Sequence, residues 1–197
     1  IRHMKQILSV LLTVVIVNTS FADHIKGGEL YYDYLGGNQY EIHLIVFRDC
    51  NGTANFDNPV SLGVFDSNDS LRYQLNMPLD TSQIYSIDVT NTFNYSCPIL
   101  MQDTCLEVTN YSVVATLPPV NGGYILVYQR CCMSPEVLNI VSPDDMGTSV
   151  ICQIPGLETG YFDNKSVRFP VVSPFLVCVD DPITMDHSAI DPDGDSL

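Results

Sequence analysis

Chemistry in this sequence concentrates in two residue types, aspartate and cysteine. Near the C-terminal end Asp191, Asp193 and Asp195 alternate with Pro192 and Gly194, and Asp186 lies one short turn upstream. Ca²⁺ takes six to eight oxygen ligands, and closely spaced carboxylates on a turning backbone can supply several of them. Asp186, Asp191, Asp193 and Asp195 are therefore candidate calcium ligands, with Asp180 and Asp181 able to add oxygens from across the turn. The spacing starts like an EF-hand loop, but Gly194 sits between the acids and no distal glutamate follows, so it is not one. The same residues also read as an Asx-rich β-turn with Pro at its second position, which needs no metal.

The seven cysteines are Cys50, Cys97, Cys105, Cys131, Cys132, Cys152 and Cys178. No C-x-x-C pair supports a zinc site, and disulfides are expected if the chain is exported. Cys97 and Cys105 enclose a short loop and are expected to pair. Closing a loop of that size restrains the unfolded chain by about 2.5 kcal/mol in the chain-entropy model. Cys131 and Cys132 are adjacent on an expected strand, so alternation points them to opposite faces and to different partners among Cys50, Cys152 and Cys178. An odd count leaves one thiol unpaired within the chain. His24, His43 and His187 are scattered, and no nucleophile–base pair, zinc motif or paired-carboxylate site stands out, so no catalytic residues are assigned.

The elements that must carry these residues are strands. Arg2 and Lys5 flank an apolar run over 7–17, and small residues end at Ala22. Residues 1–22 therefore read as a signal peptide rather than fold, and an extracellular or cell-surface location follows. No second long apolar stretch follows, so no membrane insertion is expected once the leader is removed. Beyond it, 6 basic residues face 23 acidic ones, a formal charge of −17. That balance excludes nucleic acid as a partner, since its binding needs a cationic footprint.

Tyr, Val, Ile, Thr and Phe are frequent, no helical period is sustained, and Gly, Pro, Asn and Asp punctuate the chain at short intervals. Strands are expected over 28–35, 39–50, 60–66, 71–75, 84–89, 106–117, 124–132, 149–154, 167–172 and 175–179. The first two form a hairpin about Gly36, Gly37 and Asn38. In the second, Tyr40, Ile42, Leu44 and Val46 share one face while Ile45 and Phe47 make the other apolar, as in a central strand. Residues 134–145 are expected to be irregular or to hold a short helical turn. About ten short strands imply an all-β fold, an immunoglobulin-like antiparallel sandwich with disulfides; a jelly roll or open barrel gives the same string. Residues 23–180 would form the sandwich region, in one unit or two small sub-domains. Residues 181–197 form an acidic junction leading into a further strand or domain of a longer protein.

The run from Asp186 to Leu197, DHSAIDPDGDSL, resembles a segment of very large Bacteroidetes surface proteins. Those proteins carry PKD or cadherin-like domains and a gliding-motility-associated C-terminal sorting domain. His24 to Glu29, the stretch from Tyr40-Glu41 to Phe47-Arg48-Asp49-Cys50, Gln129-Arg130-Cys131-Cys132 and the stretch from Pro174 to Cys178 are similar to that family in the same order. The resemblance implies an N-terminal β-sandwich region of a protein exported by the type IX system, structural or adhesive and non-catalytic. Its partners would be downstream domains of the same protein and surface glycans or proteins, with Ca²⁺ the one cofactor considered. The alternative is a carbohydrate- or peptide-binding sandwich accessory to a secreted enzyme. It would need exposed aromatics, for which Tyr31, Tyr32, Tyr34 and Tyr40 are the candidates, although alternation turns half of them to the core.

Overall fold

The computed structural model describes residues 25–52, 55–87, 105–133, 137–170, 180, 182 and 184–195. Eight strands are formed among them: β1 Ile25–Gly36, β2 Gln39–Asp49, β3 Val60–Asp66, β4 Leu71–Met77, β5 Tyr85–Ile87, β6 Leu106–Thr116, β7 Tyr124–Cys131 and β8 Gly147–Ile154. Short 3₁₀ turns lie at Thr81–Gln83, Pro143–Asp145 and Leu157–Thr159. The strands make two antiparallel four-stranded sheets, in the orders β1-β2-β6-β5 and β4-β3-β7-β8. The expected leader and the strand at 175–179 lie outside the described residues. Residues 167–170 contribute one isolated bridge, Arg168 to Ile190, rather than a strand.

The β1–β2 hairpin follows from its turn. Tyr34 faces Tyr40 and Gly36 faces Gln39. Gly37 (φ 60°) and Asn38 (φ 63°) both occupy the left-handed region, the backbone that matches a tight hairpin to the strand twist. β2 has a neighbour on both sides, pairing with β1 and, from Gln39–Thr116 to Asp49–Leu106, with β6. This central place explains its two apolar faces. Tyr40, Ile42, Leu44 and Val46 are buried, as alternation requires.

The core lies between the sheets. Tyr32, Tyr40, Ile42, Leu44, Tyr111 and Leu117 meet Val60, Leu62, Val64, Met77, Leu126 and Ile154 from the other side. The chain has no tryptophan, and tyrosines fill the bulk. A buried phenol needs a partner for its hydroxyl, and three of the buried tyrosines find a carbonyl on a loop. Tyr111 Oη donates to the Asp57 carbonyl at 2.8 Å, Tyr124 Oη to that of Pro118 at 2.8 Å, and Tyr40 Oη to that of Phe162. The core thereby pins three connections as well as two sheets.

β1 would present a bare edge, which invites pairing with another chain. The segment after β8 covers part of it. Ser166 N donates to the Tyr32 carbonyl at 3.0 Å, and Tyr32 N donates to Ser166 Oγ at 2.7 Å.

Candidate functional site

The acidic segment is built as a turn. Gly194 N donates to the Asp191 carbonyl at 3.2 Å, with Pro192 and Asp193 at the corner, and Gly194 adopts φ 81°. Asp191 Oδ1 accepts from Asp193 N at 2.8 Å and from Asp195 N at 3.4 Å. Asp193 turns to another strand of chain: its Oδ2 accepts from Lys165 N at 2.6 Å, and its Oδ1 lies 3.3 Å from Lys165 Nζ. The Lys165 backbone N–H holds the Asp193 carboxyl below the usual carboxylate range. Asp186 closes a separate small turn by accepting from Ser188 N at 2.8 Å, which lowers its pKa in the same way. Among the described residues, no three His, Cys, Asp or Glu side chains gather in a way that could hold a metal ion. The carboxylates of Asp186, Asp191 and Asp193 are taken up by separate turns and by Lys165, while Asp195 joins the Asp191 turn through its backbone N–H.

The cysteines correct two expectations. Cys105 bonds to Cys50, with Cα atoms 5.4 Å apart, not to Cys97. The reason is register. Asp49 faces Leu106 at the end of the β2–β6 ladder, so the next residue of one strand and the preceding residue of the other meet, and Cys50 N donates to the Cys105 carbonyl at 3.3 Å. The enclosed loop has a separation of 55 residues, and closing it restrains the unfolded chain by about 4 kcal/mol in the chain-entropy model. Cys131 and Cys132 bond to each other, against the expectation of separate partners. Alternation holds along an extended strand, but β7 ends at Cys131. The peptide that follows is cis, and the two Cα atoms lie 3.0 Å apart. Cys152 on β8 is a free thiol. Burial pushes it up to about 11, so it stays protonated at neutral pH and is a poor nucleophile. Cys97 and Cys178 lie outside the described residues.

The tyrosines separate by strand alternation. Tyr32 and Tyr40 are buried, Tyr34 packs against the core, and only Tyr31 lies on the outer face of the β1-β2-β6-β5 sheet. There it is held from both sides. The His43 ring stacks on it, centroids 4.8 Å apart and 16° from parallel, and the Arg168 guanidinium sits 4.9 Å from its centroid. Arg168 is fixed by an ion pair to Asp33. His43 Nε2 lies 3.9 Å from Asp33 and 3.8 Å from Glu41. Burial lowers the His43 pKa, outweighing the opposite pull of Glu41 and Asp33, so the ring is neutral at pH 7. The carboxylates favour the ring proton on Nε2, which leaves Nδ1 as an acceptor.

Sequence reasoning placed Tyr31 and His43 on strands but had no means to join them to Arg168. The Arg168–Asp33 ion pair that fixes it spans 135 residues, and only the return of residues 165–170 over β1 creates the contact. His24 lies outside the described residues, and His187 is exposed on the acidic segment. No family model matches the chain, and comparison with the curated proteins and with the solved structures also finds no match.

Proposed function

We propose that this chain is a non-catalytic, immunoglobulin-like module of a larger exported bacterial protein, structural or adhesive at the cell surface. One observation carries the fold part of the reading, the strand order. In the lettering of immunoglobulin sandwiches, β1-β2-β6-β5 take the places of A, B, E and D, and β4-β3-β7-β8 those of C′, C, F and G. A second feature agrees. Tyr124, the first residue of β7, hydrogen-bonds back to the Pro118 carbonyl, the arrangement of a tyrosine corner at the start of strand F. Two departures are plain: no tryptophan exists for strand C, and the Cys50–Cys105 bridge joins the ends of B and E within one sheet rather than B to F.

Fold alone does not give function. The surface role rests on the leader-like start, the disulfides, the acidic charge and the resemblance of residues 186–197 to the large Bacteroidetes surface proteins. Export by the type IX system, attachment to PKD or cadherin-like domains, and a part in gliding motility belong to the same proposal. Calcium enters it through the spacing of Asp191, Asp193 and Asp195, and a Ca²⁺ titration followed by melting decides that point. The alternative, an accessory module of a secreted enzyme, differs in what shares its polypeptide. The test is therefore the downstream reading frame together with proteinase K treatment of intact cells. Repeated β-domains, a C-terminal sorting domain and cleavage from outside are expected. A hydrolase domain, or protection of the module in intact cells, overturns the reading.

A further inference from the structure

The outer face of the β1-β2-β6-β5 sheet carries two hollows that share one floor. Tyr31, His43 and Ser112 stand opposite one another across β1, β2 and β6, and Glu29, Ile45 and Asn110 form the next outward row. One hollow, of about 410 Å³, takes the Tyr31, Glu29 and Ile45 part of this floor, with Phe169, Ile190 and Pro192 as walls. The other, of about 340 Å³, takes His43, Ser112 and Asn110, with Pro78, Asp80 and Gln83 as its wall. Both volumes fall at the small end of the range for ligand pockets, about 300–1,000 Å³. The stacked Tyr31 and His43 rings lie between the two hollows, so a ligand that reaches both crosses three strands, about 10 Å at ordinary strand spacing.

The two halves differ in chemistry. The first is apolar and aromatic: Phe169 is 58 % and Ile190 53 % exposed, beside the face-held ring of Tyr31. The second offers uncharged hydrogen-bonding groups from Asn110, Ser112, His43 and Gln83. Asn110 Oδ1 and His43 Nδ1 have no hydrogen-bond partner in the protein. Both atoms are shielded, so Ser112 and Gln83, which are exposed, are the groups a ligand meets first. Asp80 is fixed by accepting from Ser82 N and Ser82 Oγ at 2.9 and 2.7 Å, which makes that wall preorganised. The charges on the two linings are Asp80, Glu29 and Arg168, and Arg168 is already paired with Asp33. With two carboxylates against one paired guanidinium, the linings carry a net negative charge that disfavours an anion. The site lies on a sheet face, so a peptide cannot add to it as a further strand.

We propose that this face binds a neutral oligosaccharide, one sugar ring packing against the exposed Phe169 and Ile190 while the hydroxyls of a neighbouring ring bond to Ser112, Gln83 and Asn110. Pyranose rings present an apolar face and a hydroxyl rim, and a short chain of them matches a floor that is apolar at one end and polar at the other. The site deepens the adhesive reading above and rests on it for the source of the glycan.

The test titrates the purified protein with a panel of neutral tri- and tetrasaccharides (β-1,4-glucan, xylan, mannan and chitin fragments) and with an acidic uronide, followed by calorimetry and amide NMR. At least one neutral member is expected to bind with a submillimolar Kd and the uronide to bind at least about tenfold more weakly, as an unpaired carboxylate facing Asp80 requires. Asn110→Ala and Phe169→Ala are each expected to weaken binding about tenfold, while Gln153→Ala, on the far sheet, leaves it unchanged. Ser112→Ala, at an exposed strand position, serves where Asn110→Ala does not fold. Absence of binding by every neutral member, preference for the uronide, or binding indifferent to these substitutions overturns the site. Attachment to cells that survives Asn110→Ala and Phe169→Ala keeps the adhesive reading and removes this face from it; glycan binding without attachment does the reverse.

Discussion

Replacing Tyr124 by phenylalanine isolates one hydroxyl. The ring is 4 % exposed, so its apolar contacts are retained, and the loss is the 2.8 Å bond to the Pro118 carbonyl together with the side-chain hydrogen bond to Tyr73. A neutral hydrogen bond contributes about 0.5–1.5 kcal/mol net, and a buried acceptor left without a donor adds a desolvation cost. The sum for Tyr124→Phe is about 1–2 kcal/mol. In a chain of 197 residues each kcal/mol moves Tm by about 2–4 °C, so a fall of about 2–8 °C is expected. The assay is urea unfolding followed by tyrosine fluorescence and far-ultraviolet dichroism, with Tyr161→Phe as the control. Tyr161 is 63 % exposed, and its substitution is expected to stay within about 0.5 kcal/mol of the parent. If Tyr124→Phe unfolds at the parent's urea midpoint, the hydroxyl does not pin the β6–β7 connection, and the corner argument for an immunoglobulin-like arrangement fails.

Three further outcomes follow from the same structure. With its thiol raised to about 11, Cys152 holds about one part in 10⁴ as thiolate at pH 7, so Ellman's reagent should label it slowly in the native protein and rapidly in urea; equal rates would contradict its burial. Asp193 has a depressed pKa in the fold, so the stability it contributes is present above its unfolded value and lost as pH falls through the folded one; Asp193→Asn should flatten the acid limb of the stability profile below about pH 4, and an unchanged limb would remove the Lys165 clasp. Tyr40 is raised to about 12 by burial, so its stabilising term is present below about pH 10 and lost as pH rises toward 12. Phenolate absorbance at 295 nm should therefore show a late fraction of tyrosines ionising together with unfolding, and full ionisation of a still-folded protein would contradict the buried phenols.

Local features of this fold were legible in the residues, and long-range ones were not. Strict alternation from Tyr40 to Val46 and the Gly36-Gly37-Asn38 turn identify the first hairpin because both signals act within a few residues. The apolar second face of β2 also announced its central place. Its neighbour β6 was beyond reach, because pairing between segments some 60 residues apart leaves no local trace. The Cys50–Cys105 bridge depends on that pairing, so a nearer cysteine looked like the better partner. At Cys131 the strand stops one residue before alternation would have separated the two sulfurs. The aspartates allowed two readings, a calcium site or a turn; the turn with Pro192 at its corner is formed, and the partner that Asp193 takes, Lys165, belongs to a segment placed only by packing on β1. The outer face is the extreme case: Glu29, Tyr31, Ile45, His43, Asn110 and Ser112 come from three strands and become one surface only when both registers are known.

Disulfide mapping of the alkylated, unreduced protein tests the account at its centre, the adjacency of β2 and β6 in a sulfur-stapled sandwich. Proteolysis and mass spectrometry should recover a peptide containing Cys50 joined to one containing Cys105, an internal Cys131–Cys132 bond, and the alkylating label on Cys152 once the protein is denatured. Recovery of Cys105 joined to Cys97, or of Cys50 and Cys105 both carrying the label, would contradict it.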